Sequence, residues 1–568
     1  MAPSALARRP GRALVFIGFM GAGKSRAARE VAAALGVPAI DSDALLEERL
    51  GRSIEQLVAE EGEGWFRARE EELVLELLGR ADAGAVIALG GGAILSERVR
   101  TALDRHLAVY LESDAAAAWE RLGAGRARRP LASDPERFAA LLEARRPLYE
   151  QLADATLPAG APPPGARPLE GEGAQAEQPV AARALASLIA LSRAPAGTRM
   201  IWAWSQAAEY PVFVGRSLYV ARHGATAGAG APDWRLRELW PPEHAGARSF
   251  LISDSNVTGR FAPLIGEVAA RCVIEPGEQH KSLESARRIW QELVQAQITR
   301  AEHVLALGGG VVGDLAGFCA ATYQRGIAII HLPTTIVAQV DSAYGGKTGI
   351  DLPAAKNYVG AYHQPAAVIA DAAALSSLPE REHAAGWVEV LKSAMIAGGE
   401  LWAAVAGSAP VDERVIFGCA KLKISIVAAD ERDGGLRQVL NLGHTVGHAI
   451  EAVTGYRRFR HGEAVALGLL AALRLSSQGA LREQVRELLV ARGLPVSLAG
   501  VDPDAVLAAV HLDKKRRGDQ VPFVLVHAPG RVEHGCAVSA RELRSAVAEL
   551  CTGDREHPRQ MPAAEGAH

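Results

Sequence analysis

The 568 residues predict an α/β chain in three parts. These are a phosphate-loop domain with a parallel sheet, a Rossmann-like α/β domain, and a mainly α-helical domain. Three observations predict this. In the first third, short apolar runs of strand length alternate with amphipathic helical stretches. The alternation restarts near residue 200, after a stretch rich in Pro, Gly, Ala and Glu. From about 379 the strand signals fade and helical periodicity dominates. A chain of this length exceeds one ordinary core, so several domains are expected.

In the first part, "ALVFIGF", "VIALGG" and "LAVYLE" read as buried strands, and "KSRAAREVAAALG" and "REEELVLELLGRA" as helices. Residues 158–179, "PAGAPPPGARPLEGEGAQAEQP", cannot build a core. Because "VAARALASLIALSR" then resumes helical periodicity, the first domain is set at 1–193 with 158–179 as an insertion, and 194–199 as the linker. In the second part, 200–378, "SFLISD", "HVLALGGG" and "IAIIHLP" read as strands. "GWVEVLKSAMIAG", "VIFGCAKLKISIVAAD" and "EAVALGLLAALRLSS" place helices in the third, 379–555, leaving 556–568 as a tail.

Composition narrows the function classes. A net charge of −3 argues against a nucleic-acid coat or a broad anionic-membrane surface. No apolar run approaches the roughly 20 residues that span a bilayer. "MAPSALARRPGRALVFIGF" imitates a secretion signal, but its apolar stretch runs into a glycine loop with no cleavage pattern. Five scattered cysteines read as reduced thiols. A cytoplasmic enzyme of small molecules, without nucleic-acid or membrane partners, is expected.

"GFMGAGKS", Gly18 to Ser25, follows a strand and opens a helix. In such a loop the backbone N–H groups of Gly21, Ala22 and Gly23 surround phosphate oxygens, helped by the positive helix end. Lys24 would bridge the β and γ phosphates, and Ser25 would ligate Mg²⁺. In "DSD", one of Asp41 and Asp43 could meet the Mg²⁺ shell while the other grips a substrate hydroxyl; helix capping is the ordinary alternative. Arg67, the arginines at 126–129 and those at 145–146 suit an anionic acceptor and a transferring phosphoryl group. Taken singly, each reads better as part of a solvated basic face.

GFMGAGKS, DSD, FRARE, GGG, RRPL and RRPLYEQLAD occur in this order, and residues 11–193 thereby resemble shikimate kinase. The resemblance implies that Asp43, Arg67, Gly90, Gly91, Gly92 and Arg145 hold shikimate. It places Asp41 near Mg²⁺ and Arg129 in a lid, stabilising the γ-phosphoryl charge of ATP. Arg121 is the nearest candidate for a second lid arginine, one residue out of the family spacing. Phosphoryl transfer needs positioning and charge stabilisation more than covalent help.

"HVLALGGGVVGDLAGF" is a strand, a glycine turn and a helix start that could seat a pyrophosphate. "PGEQHKSLE" adds Glu278 and Lys281, and "LPTT" adds Thr334 and Thr335. "QVDSAYGGKTGIDLPAAKN" puts Lys347, Lys356 and Asn357 in a Gly-rich, loop-like setting where lysines could neutralise a phosphate and a carboxylate. A catalytic Zn²⁺ site wants about three protein ligands and one open position. The candidates are Glu389, His444, His448 and His461, with three histidines in 18 residues beside Arg437 and Asn441. His444 and His448 are four apart and share a helix face, as do Glu389 and Lys392 at three. Position 445 is Thr, so the glutamate of a His-Glu-x-x-His site is missing.

GGGVVGDLAGF, HLPTT, GGKTGID, EVLK and NLGHTVGHAIE with HGEAV make residues 200–555 resemble 3-dehydroquinate synthase. The resemblance implies Glu389, His444 and His461 as ligands of Zn²⁺ or Co²⁺. It points Asp254, Glu278, Lys281, Gly310, Asp314, Thr334 and Thr335 at NAD⁺. Asp341, Lys347, Lys356, Asn357, Lys392, Lys423, Arg437, Asn441 and His448 would meet the substrate. Lys347, Lys392, Arg437, Asn441 and His448 are the residues expected to carry catalysis, His448 by facing the substrate phosphate and helping its proton-coupled loss. Lys514 or Lys515 would close over the substrate, and Arg325 would reach in from the other subunit of a homodimer formed through this half. The implied activities are phosphorylation of shikimate and, separately, conversion of 3-deoxy-D-arabino-heptulosonate 7-phosphate to 3-dehydroquinate plus phosphate. The alternative is a metal-dependent polyol or alcohol dehydrogenase behind a non-catalytic nucleotide-binding module, which would not need the lysine set.

Overall fold

The computed structural model describes residues 12–123, 134–159, 179–220, 236–353, 355–511 and 521–552. They fall into two compact units, Met1–Thr334 with Ser342–Ala373, and Thr335–Asp341 with Ala374–His568.

The first unit is built on one twelve-stranded sheet. Its kinase-like end contains β1 (Leu14–Ile17), β2 (Ala39–Asp41), β3 (Val86–Ala88), β4 (Leu107–Glu112) and β5 (Ala155–Pro158) in the order β2-β3-β1-β4-β5, all parallel. β1 and β3 are buried at every residue, because helices cover both faces and leave no side for polar residues. The far end contains β8 (Ser249–Asp254), β9 (Ala270–Ile274), β10 (His303–Gly308), β11 (Ala328–Pro333) and β14 (Ala367–Asp371), again parallel. Between the two ends lie β6 (Arg199–Trp204) and β7 (Glu209–Gly215), an antiparallel hairpin. β6 continues from β5, with Ala155 beside Met200, and β7 pairs with β14. The sheet therefore crosses the expected 194–199 linker without a break, although the chain there forms no strand until Arg199.

The loop-like reading of Lys347 to Asn357 is corrected. Lys347 opens β12 (Lys347–Leu352), while Lys356 and Asn357 lie in β13 (Ala355–Tyr362), its antiparallel partner. The glycines that suggested a loop let two strands approach. A Cβ on Gly360 would lie 2.2 Å from Thr348 O, and one on Gly349 2.8 Å from Val359 O.

The second unit is mainly helical, and among the described residues its strands are the hairpin β15 (Phe523–Ala528) and β16 (Arg531–Cys536). Helix His461–Leu475 runs through its middle, buried at twelve consecutive residues from Gly462 to Leu473. It packs against helices His444–Val453 and Glu380–Ala397. Close packing depends on glycine: a Cβ on Gly462 would lie 1.9 Å from Ala385 O, and one on Gly468 1.9 Å from Gly443 O. These contacts draw together the helices that carry Glu389, His444 and His461. Among the described residues no helix is long and apolar enough to cross a membrane.

Candidate functional sites

In the kinase-like part, Gly21 and Gly23 adopt φ of 79° and 91°, and Gly23 caps helix Lys24–Leu35. Lys24 Nζ donates to Phe19 O at 3.1 Å, curling over its own loop, and Ser25 is exposed. Asp41 Oδ1 accepts from the backbone N–H of Asp43 and Ala44, so Asp41 caps helix Ser42–Leu50. Gly90 and Gly92 lie against charged side chains. Cβ atoms there would lie 2.3 Å from Asp43 Oδ1 at Gly90 and 2.1 Å from Arg67 Nη1 at Gly92. Arg145, 8% exposed, reaches Gly91 O at 3.5 Å, and Tyr149 donates its hydroxyl to the same carbonyl at 2.6 Å. Glu70 accepts from Arg67 Nη1 at 2.6 Å; burial raises the pKa of its carboxyl, and Arg67 opposes this. Arg121 Nη1 donates to Gly21 O at 2.9 Å, so this side chain buttresses the phosphate loop. Arg129 lies outside the described residues.

In the Rossmann-like part, helix Gly310–Thr322 starts directly after β10, which aims its N-terminus at the strand's carboxyl end. Lys281, 3% exposed, is the centre of an acidic ring. Its Nζ lies 2.9 Å from Glu278 Oε1, 3.3 Å from Asp314 Oδ2 and 3.7 Å from Asp351 Oδ1, and donates to Asn357 Oδ1 at 2.8 Å. Burial pushes Asp314 up to about 6 despite Lys281. Lys356 stands 3.9 Å from Glu278. Asp254 caps helix Ser255–Ile265 through its Oδ1, and Thr334 is buried with its hydroxyl unpaired. Lys347 and Arg325 are exposed, Arg325 in a turn with φ of 67°.

In the helical unit, ligand atoms of Glu389, His444 and His461 lie within 4.8 Å of one another. Glu389 Oε1 is 3.6 Å from His444 Nε2 and 3.5 Å from His461 Nε2. These are long for hydrogen bonds, and the buried Oε1 accepts none. His444 Nδ1 faces Leu442 O at 3.1 Å and His461 Nδ1 faces Glu451 Oε2 at 3.4 Å, which leaves both Nε2 atoms turned toward Glu389. A buried carboxylate and two converging imidazoles are a donor set that fits a divalent cation. Burial works against the charge of Glu389, but Lys392, His444 and His461 outweigh it and hold its carboxyl well below the usual range.

Beside this cluster Lys392 Nζ is 2.6 Å from Glu389 Oε2 and 3.1 Å from Asp341 Oδ2. Lys423 makes a short contact to the other oxygen of Asp341. Burial lowers the pKa of Lys423, Lys392 and Arg437 add to that, and Asp341 opposes it. Arg437, 1% exposed, donates to Glu431 O, its turn closed by Asp430 on three backbone N–H groups. Asn441 ends that turn, and His448 is exposed one helical turn beyond His444, with ring centroids 5.3 Å apart. Lys514 and Lys515 lie outside the described residues.

Residues 271–385 match the family model described as 3-dehydroquinate synthase N-terminal, and 386–516 match 3-dehydroquinate synthase C-terminal. The chain is 42% identical over 349 residues to the 3-dehydroquinate synthase of Symbiobacterium thermophilum, covering 57% of this chain and 92% of that protein. The chain belongs to the 3-dehydroquinate synthase family. It is also 41% identical over 276 residues to the Nostoc punctiforme 3-dehydroquinate synthase, covering 46% of this chain and 76% of that one. Residues 20–175 match the family model described as shikimate kinase, so a shikimate-kinase-like domain is fused ahead of the synthase-like part. The fold of that later part is shared with 2-deoxy-scyllo-inosose synthase, solved with carbaglucose-6-phosphate, NAD⁺ and Co²⁺: TM-score 0.52, 23% identity, 62% of this chain and 100% of that one.

In the synthase-like part, sequence reasoning missed Glu451 and Asp351; in the kinase-like part it missed Glu70 and Tyr149. Glu70 follows Arg67 by three and Tyr149 follows Arg145 by four, so helix spacing could have found both. Asp351 lies on β12 and Glu451 lies on the helix of His444. No local pattern ties either to the partner it meets.

Proposed function

We propose that this synthase-family chain is a bifunctional enzyme. Its kinase-like domain phosphorylates shikimate with ATP and Mg²⁺. Its synthase-like part converts 3-deoxy-D-arabino-heptulosonate 7-phosphate to 3-dehydroquinate and phosphate with NAD⁺ and Zn²⁺ or Co²⁺. The observation that carries the synthase reading is the convergence of Glu389, His444 and His461 beside two lysines bracketing Asp341.

When bound, the metal would act as a Lewis acid on a substrate hydroxyl and NAD⁺ as hydride acceptor and donor. Glu389 and the Nε2 atoms of His444 and His461 hold the metal. Lys392, Lys423 and Arg437 attract the anionic groups of the substrate. His448 faces the substrate phosphate and handles the proton in its loss, with Asn441 and Lys347 orienting polar groups. NAD⁺ meets Asp254, Glu278, Lys281, Gly310, Asp314, Thr334 and Thr335. Lys356, Asn357 and one of Lys514 and Lys515 complete the substrate contacts, and Arg325 serves the second subunit of a homodimer.

In the kinase reading, Asp43, Arg67 and Arg145 fix shikimate over Gly90 to Gly92, and Lys24, Ser25, Asp41 and Arg129 serve ATP and Mg²⁺. This chemistry asks only for positioning and charge stabilisation. Both reactions are assayed on the intact chain, with a chelator and excess Mg²⁺. Chelation abolishes the synthase and spares the kinase, and Zn²⁺ restores the synthase. A synthase indifferent to chelation sinks the metal assignment, and no ADP from ATP and shikimate sinks the kinase.

A further inference from the structure

His461 turns its two ring nitrogens toward different carboxylates, Nε2 toward Glu389 Oε1 at 3.5 Å and Nδ1 toward Glu451 Oε2 at 3.4 Å. It thereby belongs to two sets of potential metal ligands, each within 4.8 Å: Glu389, His444 and His461, or His448, Glu451 and His461. A neutral imidazole offers one lone pair, so the proton on the other nitrogen decides which set a cation occupies. His444 supplies the precedent. Its Nδ1 faces the carbonyl of Leu442 at 3.1 Å, an acceptor with no proton to give, so Nδ1 carries the proton and Nε2 is left for Glu389's side.

Glu451 can impose the same choice on His461. It is 4% exposed and sits on helix His444–Val453, the helix that starts with His444. Its backbone is tied by Tyr456 N–H and Thr454 Oγ1 on its own carbonyl, at 2.8 and 3.3 Å. Gly462, next to His461, lies so close to the neighbouring helix that an added Cβ would be 1.9 Å from Ala385 O.

We infer that Glu451 is a positioning residue: it accepts the Nδ1–H of His461, holds the lone pair on Nε2, and so directs the divalent cation to Glu389, His444 and His461. The inference rests on the reading of those three residues as a metal centre. A carboxylate behind a ligating imidazole also raises the basicity of the ring.

The test uses the full chain, stripped by chelation and reloaded with Zn²⁺ or Co²⁺. Zn²⁺ affinity is read by competition with a chromophoric chelator, and ligand number by the visible absorption of Co²⁺. Glu451→Ala is expected to weaken Zn²⁺ by about 10- to 100-fold while the Co²⁺ spectrum keeps its ligand number. Glu451→Gln, nearly isosteric and still an acceptor, should weaken it by less than about tenfold with the spectrum unchanged, and serves if the Ala variant does not fold. Glu389→Ala should abolish stoichiometric binding. Unchanged affinity in Glu451→Ala overturns the inference. So does loss of a Co²⁺ ligand in either Glu451 variant while Glu389→Ala still binds, which would put the metal on the His448 side. Wild type that binds no stoichiometric Zn²⁺ overturns the metal centre itself and the inference with it.

Discussion

Arg183 grips Glu209 with two hydrogen bonds, at 3.0 and 2.7 Å, across the junction of the kinase-like and synthase-like sequences. Arg183 ends helix Val180–Arg183, and Glu209 opens β7. The indole N–H of Trp202 on β6 donates to the same carboxylate at 2.8 Å. Alongside, Met200 N–H donates to Asp154 O at 2.8 Å, and the Arg199 guanidinium to the carbonyls of Ala153 and Glu150. Backbone pairing and the Arg183–Glu209 pair, with side chains only 15% and 20% exposed, thus help seal the junction. Glu209→Ala removes the carboxylate to which both the Arg183 guanidinium and the Trp202 indole N–H donate, so it should cost about 1–3 kcal/mol in denaturant unfolding. Arg183→Ala combined with Glu209→Ala should cost less than the sum of the two, because removing both partners leaves less unpaired.

Gly92→Ala tests the proposed shikimate site. The new methyl would lie 2.1 Å from Arg67 Nη1, the movable end of a side chain, while the backbone φ of −102° suits alanine. Arg67 is displaced and stability changes by less than about 1 kcal/mol. Steady-state kinetics should show KM for shikimate raised about tenfold or more, with KM for ATP unchanged, since one charge-assisted contact is worth about 1.5–3 kcal/mol.

Asp341→Asn tests the lysine pair. Asp341 is the anion that opposes the burial-driven lowering of Lys423, so its removal lowers that pKa further. A lower lysine pKa means that the charge is lost at a lower pH. The alkaline limb of the synthase profile of kcat/KM should therefore move to lower pH, with the kinase profile unmoved. A synthase profile identical to wild type would separate Lys423 from substrate binding.

His303 tests acid stability. It is buried against Trp240 and His244, and burial, helped by the charges of His244 and Arg237, pushes its pKa down to about 3. In the unfolded chain it titrates near 6.5. Between those values the unfolded state binds the proton and the folded state does not, so stability is lost as pH falls from 6.5 toward 3. The loss is about 1.4 kcal/mol per pH unit, or about 2 kcal/mol at pH 5. His303→Phe removes that titration, so Tm should fall less between pH 7 and 5 than in wild type, even where its Tm at pH 7 is lower.

Part of this protein was legible in its sequence because the signal was local. The phosphate loop needs consecutive backbone N–H groups, so Gly18 to Ser25 declares itself in eight letters. His444 and His448 announce a shared helix face by spacing alone, and the apolar runs of β1, β3, β4, β8, β10 and β11 announce buried parallel strands. Spacing could not say which histidines act together. Only three helices packed through Gly462 and Gly468 bring Glu389, His444 and His461 within 4.8 Å of one another, and they set the exposed His448 with Glu451 and His461 in a second such group. The hairpin of β12 and β13 looked like a loop because glycine codes for turns and for close backbone contact alike, and only the partner strand distinguishes them. The same holds for β5 beside β6 and for Arg183 on Glu209. Each half of such a pair is an ordinary strand or charge in its own segment, and its role exists only once the chain brings the other half to it.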